Sequence, residues 1–154
     1  QIERMKGIEH IGVRVRQSGT VTDIYMNLEA DGSIRHRNAN FEMPNGWETD
    51  AYLFGFTYPE GADPSNLDAI TRYLYFDSNY LRREGKVVLV SLSKVYLAMM
   101  RHGDDLDVLL QGQPVINALL RVSKKPASMR LNHQPAKVPY KSRRQVVTVR
   151  INQH

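Results

Sequence analysis

Apolar and polar residues alternate with a period of two in the first part of the chain. Residues 11–16 and 23–28 both follow this pattern, which is typical of strands that bury one face in a core. We therefore expect two antiparallel strands joined at Gln17-Ser18-Gly19. Asp31-Gly32 supplies the positive φ angles of a tight turn and predicts a second hairpin into Ile34–Phe41.

The pattern returns from Ala51 to Tyr58, where every second residue is aromatic. An aromatic row on a strand is either part of a core or a platform on which nucleic-acid bases stack. The opposite face of this strand offers only small or aliphatic residues and Thr57, so we expect the aromatic face to point into the core. That face comprises Tyr52, Phe54, Phe56 and Tyr58.

The middle of the chain is interpreted as a mixture of helices and strands. Asp63-Pro64 resembles a helix cap followed by proline at the first helical position, and the apolar spacing in Ser93–His102 is also helical. Together with the opening meander this predicts an α+β fold, an antiparallel sheet of about five or six strands with two or three packed helices. The predicted helices are Pro64–Phe76, Ser93–His102 and Asp104–Gln111, and the predicted strands are Val87–Leu92, Pro114–Val122 (helix being the alternative) and Val146–Ile151.

The chain has 154 residues, enough for one globular domain with its own core. We expect a single domain over 1–154, in which 123–145 is an extended basic surface segment and 146–154 a terminal strand. The absence of cysteine excludes disulfides and thiolate metal sites. No apolar run is long enough for a membrane helix, so we expect no transmembrane segment. The sequence leaves the compartment open, with a cytoplasmic or virion-associated location favoured.

Charge is divided unevenly along the sequence. The last acidic residue is Asp107, and the 47 residues from Val108 to His154 contain nine Lys or Arg. The preceding 107 residues carry 16 acids against 12 bases. A basic third without acids suits a polyanion or an anionic lipid surface.

The irregular spacing of the bases in 123–145 predicts electrostatic attraction rather than ordered readout of a sequence. The alternative interpretation is an ordinary solvated loop. The predicted anion-binding residues are Lys124, Lys125, Arg130, Lys137, Lys141, Arg143 and Arg144.

Candidate chemistry is sparse elsewhere. His102 lies beside Asp104, Asp105 and Asp107, a set that could bind a divalent ion or transfer protons, but acidic residues also favour a helix N-terminus. The five histidines have no metal-ligand spacing, and no nucleophile or nucleotide-binding motif occurs. Arg35-His36-Arg37 could extend a phosphate-binding surface or belong to a polar edge strand. We therefore expect no enzyme activity, cofactor, metal or small-molecule substrate.

These observations favour a structural or adaptor protein, a profile typical of viral matrix-type proteins. Its partner would be a nucleic acid, a nucleoprotein or an anionic membrane surface, and the opposite charges of its two parts predict self-association. One alternative is an enzyme that acts on a phosphorylated or nucleic-acid substrate. Another is an accessory domain of a secretion or phage structural complex.

Overall fold

A computed structural model describes residues 2–6, 10–27, 31, 33, 41–42, 46–51 and 53–152. Within these ranges the chain forms a 12-stranded antiparallel sheet and a separate two-stranded hairpin. None of the described residues forms an α-helix, and Leu67–Ala69 forms a 3-10 turn. The predicted α+β class is therefore wrong, and the fold is all-β.

The opening hairpin is confirmed, because β2 and β3 pair over their whole length and Ser18 and Gly19 turn between them with φ angles of 52° and 79°. The predicted hairpin at Asp31-Gly32 lies largely outside the described residues. The strands of the first half are β1 (Ile2–Lys6), β2 (His10–Gln17), β3 (Thr20–Asn27), β4 (Phe41–Glu42), β5 (Trp47–Thr49) and β6 (Leu53–Pro59).

The predicted helix Pro64–Phe76 is wrong. Asn66 caps a single turn by accepting a hydrogen bond from the Asp68 backbone at 3.1 Å, and the turn stops at Ala69. The Thr71 backbone then donates to the Thr57 carbonyl at 2.8 Å, which begins the pairing with β6. Long-range pairing of aromatic residues outweighs the local helix signal here. The chain continues as β7 (Arg72–Arg83) and, after a turn, as β8 (Lys86–His102).

The predicted helices Ser93–His102 and Asp104–Gln111 are also wrong, since both stretches are strands. In β8 the buried residues Val95, Leu97 and Met99 follow a period of two. Nearly every position there is apolar, so the sequence fits a helical and a strand period equally well. The later strands are β9 (Asp105–Gly112), β10 (Val115–Arg121), β11 (Met129–Leu131), β12 (Gln134–Ala136), β13 (Tyr140–Lys141) and β14 (Val146–Asn152). The strand predictions for 114–122 and 146–151 are confirmed.

The long strands β7 and β8 divide the sheet into two leaves. The first part of β7 pairs with β6 and its last part with β5. Similarly, the first part of β8 pairs with β10 and its second part with β9. The register of β7 on β8 is interrupted between Tyr75 and Tyr80. We call the leaf that contains β1, β2, β3, β6 and β9 the front leaf, and the leaf that contains β5, β10, β14 and β13 the back leaf.

The two leaves share one aromatic core. Trp47, on the back leaf, has its ring centroid 5.2 Å from that of Phe54 and 5.3 Å from that of Phe56, both on the front leaf. Tyr25 and Tyr73 complete the cluster from β3 and β7. Burial of several large aromatic side chains is the main stabilising contribution to a core of this kind. The described part of the chain contains no helix long and apolar enough to cross a membrane.

Candidate functional site

The basic segment, residues 123–145, leaves the back leaf and returns to it at one point. Arg121 and Val146 are cross-strand partners at the end of β10 and the start of β14. The Val122 backbone donates to the Gln145 carbonyl at 2.8 Å, and Arg121 Nη2 donates to Gln145 Oε1 at 2.8 Å. Gln145 Nε2 in turn donates to the Ser123 carbonyl at 3.0 Å. These bonds close the base of the segment and attach it to the sheet at both ends.

Part of the segment is folded rather than simply extended. β11 and β12 form a hairpin whose turn residues Asn132 and His133 have φ angles of 50° and 66°. β13 then pairs with the start of β14, with Lys141 opposite Val146. Met129 and Tyr140 pack against the core. The segment is therefore anchored along its length, which limits the motion of the basic side chains that it carries.

All seven predicted anion-binding residues are exposed. Lys124 Nζ lies 3.5 Å from Asp104 Oδ1 in the β8–β9 turn. Among the described residues, the other six form no ion pair with a carboxylate. They are Lys125 in the loop after β10, Arg130 in β11, Lys137 after β12, Lys141 in β13, and Arg143 and Arg144 in the turn before β14.

The acidic cluster near His102 belongs to a hairpin turn and not to a helix N-terminus. His102 and Asp105 form the last pair of β8 with β9, and Gly103 turns between them with a φ of 60°. His102 Nε2 lies 3.4 Å from Asp107 Oδ2, with the two side chains 58% and 81% exposed. No group of three potential metal ligands converges anywhere in the described ranges. The interpretation of these acids as a helix cap is wrong. They lie in and beside an exposed hairpin turn, where acidic residues are well solvated.

The aromatic strand faces the core, as predicted. Phe54, Phe56 and Tyr58 are all buried, and Phe54 and Phe56 stack around Trp47. Their rings are unavailable for stacking with nucleic-acid bases. Tyr52, the fourth member of the predicted face, and Arg35-His36-Arg37 lie outside the described residues.

The structure contains two buried polar networks that the sequence did not predict. In the first, the fully buried Asp23 carboxylate binds Arg14 at 2.8 and 3.1 Å and accepts a hydrogen bond from the Tyr58 hydroxyl at 3.1 Å. Burial and the Asp23 charge raise the pKa of Tyr58. Because protein groups surround Asp23, this network stabilises the fold rather than forming a reactive site.

The second network holds the irregular part of β7. Asp50 Oδ1 accepts hydrogen bonds from the Ser78 hydroxyl and from the backbones of Asn79, at 3.1 Å, and Tyr80, at 3.3 Å. The Thr49 hydroxyl lies 3.2 Å from that of Ser78 and donates to the Tyr80 carbonyl at 2.7 Å. A carboxylate that satisfies backbone groups at a bulge has a structural role. Only the tertiary fold joins these residues, so no local motif could have predicted the network.

Two further bases were not assigned to the predicted site. Arg121 lies in β10 and Arg150 in β14, on the strands between which the segment is inserted. The sequence pattern could have identified Arg150 as an exposed base, because Thr148 and Asn152 alternate with apolar residues and share its exposed face. The position of Arg121 beside the segment follows from its pairing with Val146, which the sequence does not predict.

Comparison with known protein families gives no match for this chain, and no curated protein matches it either.

Proposed function

We propose that this protein is a non-enzymatic binding module that holds a polyanion through its basic segment, with a nucleic acid as the partner. The observation that carries the proposal is the display of seven exposed bases on one anchored segment, six of them without an intramolecular ion pair in the described structure. Unpaired Lys and Arg side chains are free to bind phosphates and to release the counterions that surround a nucleic acid.

Binding of this kind depends on charge rather than on base sequence. The bases occupy a loop, a hairpin, a short strand and a turn, so they form no regular row that could enter a groove. The described aromatic residues of the predicted stacking face are buried. The module would therefore contact phosphates and read no sequence.

A nucleic acid is favoured over a membrane because the segment lacks an apolar anchor. Proteins that bind a bilayer surface usually insert large apolar side chains beside their basic residues. The exposed large apolar residues of the described structure all lie outside 123–145, and they are Phe76, Leu92, Val108, Leu109 and Val115. Basic side chains near an anionic membrane contribute about 1 kcal/mol each, and without an apolar anchor this attraction stays purely electrostatic.

The enzyme alternative receives no comparable support. Its candidate residues, His102 and the neighbouring aspartates, lie in an exposed hairpin turn. An acid-base pair with catalytic function is usually found in a concave site that restricts water.

Fluorescence anisotropy with a labelled single-stranded oligonucleotide of about 20 nucleotides tests the proposal. The variant K125Q/R143Q/R144Q removes three charges from the segment. A control, R72Q/K94Q, removes two exposed charges from β7 and β8 outside the part of β8 that pairs with β10. At about 0.7 per lost phosphate contact, the segment variant should flatten the slope of log affinity against log salt by about 2.

The control variant should bind like the wild type. Circular dichroism and the urea midpoint of each variant verify that the fold is intact. Equal losses in both variants, or an affinity that does not respond to salt, would contradict the proposal. Binding to phosphatidylserine vesicles without binding to the oligonucleotide would assign the segment to a membrane instead.

A further inference from the structure

We propose that the nucleic-acid contact surface extends beyond the basic segment onto the outer face of the back leaf, where Arg121 and Arg150 bind the same strand as Lys141. This inference rests on the proposed function and adds two contact residues to it. It also describes the ligand as a polymer with repeated anionic groups, a nucleic-acid strand.

The strand register brings Arg121 and Lys141 onto one face. Val146 of β14 is the cross-strand partner of Arg121 in β10 and also of Lys141 in β13. Directly opposed residues of antiparallel strands project to the same side of the sheet. The two basic side chains therefore flank β14 on the same side.

Arg150 lies on that face as well. Residues an even number of positions apart in a strand share a face, so Thr148 and Arg150 project to the same side as Val146. Both are exposed, whereas Val147 and Val149, which point to the other side, are buried in the core. Val146 itself is covered, with 2% of its surface exposed, so the open face of β14 begins at Thr148 and continues on the side where Lys141 lies.

The charged residues on this part of the sheet all have one sign. β10, β13 and β14 contain Arg121, Lys141 and Arg150 and no acid. Arg121 Nη2 is held by Gln145, the residue that also closes the base of the segment. Within the described structure Arg150 forms no ion pair with a carboxylate. The face is thus complementary to an anion and adjoins the basic segment.

The three bases of this face are spread both across the strands and along them. Strands lie about 4.8 Å apart, so the backbones of Arg121 and Lys141 are separated by about 10 Å across β14. Arg150 is four residues from Val146, about 13 Å along the strand. Long Lys and Arg side chains can converge on one phosphate across such distances, so competition with inorganic phosphate belongs to the test, whereas a nucleic-acid strand presents a phosphate at every nucleotide and can engage all three bases at once.

The decisive experiment compares R150Q with R72Q by oligonucleotide anisotropy over a salt series. Arg72 is an exposed base on the front leaf and serves as the matched control. We expect R150Q to weaken binding several-fold and to flatten the salt slope by about 0.7, while R72Q changes neither. Inorganic phosphate at millimolar concentration should not displace the oligonucleotide.

The outcomes separate this inference from the proposed function. If R150Q binds like the wild type while K125Q/R143Q/R144Q loses affinity, the segment is the whole contact surface and the inference is wrong. If the wild type binds no oligonucleotide at low salt, the proposed function fails and the inference fails with it. Effective displacement by inorganic phosphate would show a single-anion pocket and would also overturn the inference.

Discussion

Arg14 and Asp23 face each other across β2 and β3 and form a two-point ion pair. Arg14 Nε lies 2.8 Å from Asp23 Oδ1, and Nη2 lies 3.1 Å from Oδ2. The hydrogen bond to Asp23 raises the pKa of the Arg14 guanidinium. Asp23 has no exposed surface, so its charge is tolerated in the core because the guanidinium and the Tyr58 hydroxyl neutralise and solvate it.

Loss of Arg14 should therefore destabilise the protein strongly. Arg14→Gln leaves an unpaired charge in the core, and we expect the free energy of unfolding to fall by about 3 kcal/mol. Arg16→Gln is the control, because its 3.3 Å pair with Glu60 is largely exposed to solvent and should contribute less than about 1 kcal/mol. Urea unfolding followed by the fluorescence of Trp47 measures both. Similar losses in the two variants would refute this account of Asp23.

Asp50 should be equally important for the irregular stretch of β7. Asp50→Ala removes the acceptor for the Asn79 and Tyr80 backbones and for the Ser78 hydroxyl. Buried donors left unsatisfied destabilise a fold by about 1–3 kcal/mol each, so we expect a loss of at least about 2 kcal/mol. Asp105→Ala removes an exposed carboxylate from the start of β9 and should change the urea midpoint little. An unchanged midpoint in D50A would contradict the role proposed for Asp50.

Alkaline pH should unfold the protein cooperatively. Burial raises the pKa of Tyr25, Tyr73 and Tyr75 well above the ordinary tyrosine value, whereas tyrosines in the unfolded chain ionise near pH 10. Above about pH 10 the unfolded state therefore binds fewer protons than the native state, and stability decreases as pH rises. We expect the urea midpoint to be nearly constant from about pH 7 to 9 and to fall beyond about pH 10.

Tyr75→Phe provides the test of this mechanism. The buried Tyr75 hydroxyl lies near the Ser78 hydroxyl but forms no hydrogen bond of normal geometry, so its removal should change stability at neutral pH little. The variant should lose less stability than the wild type between pH 9 and about 11. An identical decline in both proteins would mean that other groups control the alkaline transition.

Self-association through surfaces of opposite charge stays a prediction. The Lys124–Asp104 pair already joins the basic segment to the acidic β8–β9 turn within one molecule, so contacts between molecules must use the remaining bases. Such contacts are screened within about 8 Å at physiological ionic strength. Static light scattering should show a mass that increases at low salt and returns to the monomer at high salt. A monomer at every salt concentration, or an oligomer that ignores salt, would contradict the prediction.

The sequence predicted individual strands where polar and apolar residues alternate visibly. The hairpin of β2 and β3 and the terminal strand β14 were recognised for this reason. The stretch from Val95 to Met100 is apolar at every position, so its period was hidden and a helix was predicted. The cap predicted at Asp63-Pro64 misled in the same way, because a local cap describes the start of a turn and carries no information about the pairing that follows.

Local chemistry alone accounts for the exposure of the seven bases, because a cluster of like charges without nearby acids cannot be desolvated. Their grouping with Arg121 and Arg150 depends instead on which strands pair and in which register, since Val146 meets Arg121 and Lys141 only after three strands assemble. The pairing of Lys124 with Asp104 also depends on the fold, because the two residues are distant along the chain while Lys124 Nζ lies 3.5 Å from Asp104 Oδ1. Composition dictates that a cluster of like charges without acids remains in water. Neighbours across a sheet are instead selected by the burial of the whole core, a property of the entire chain and not of any short segment.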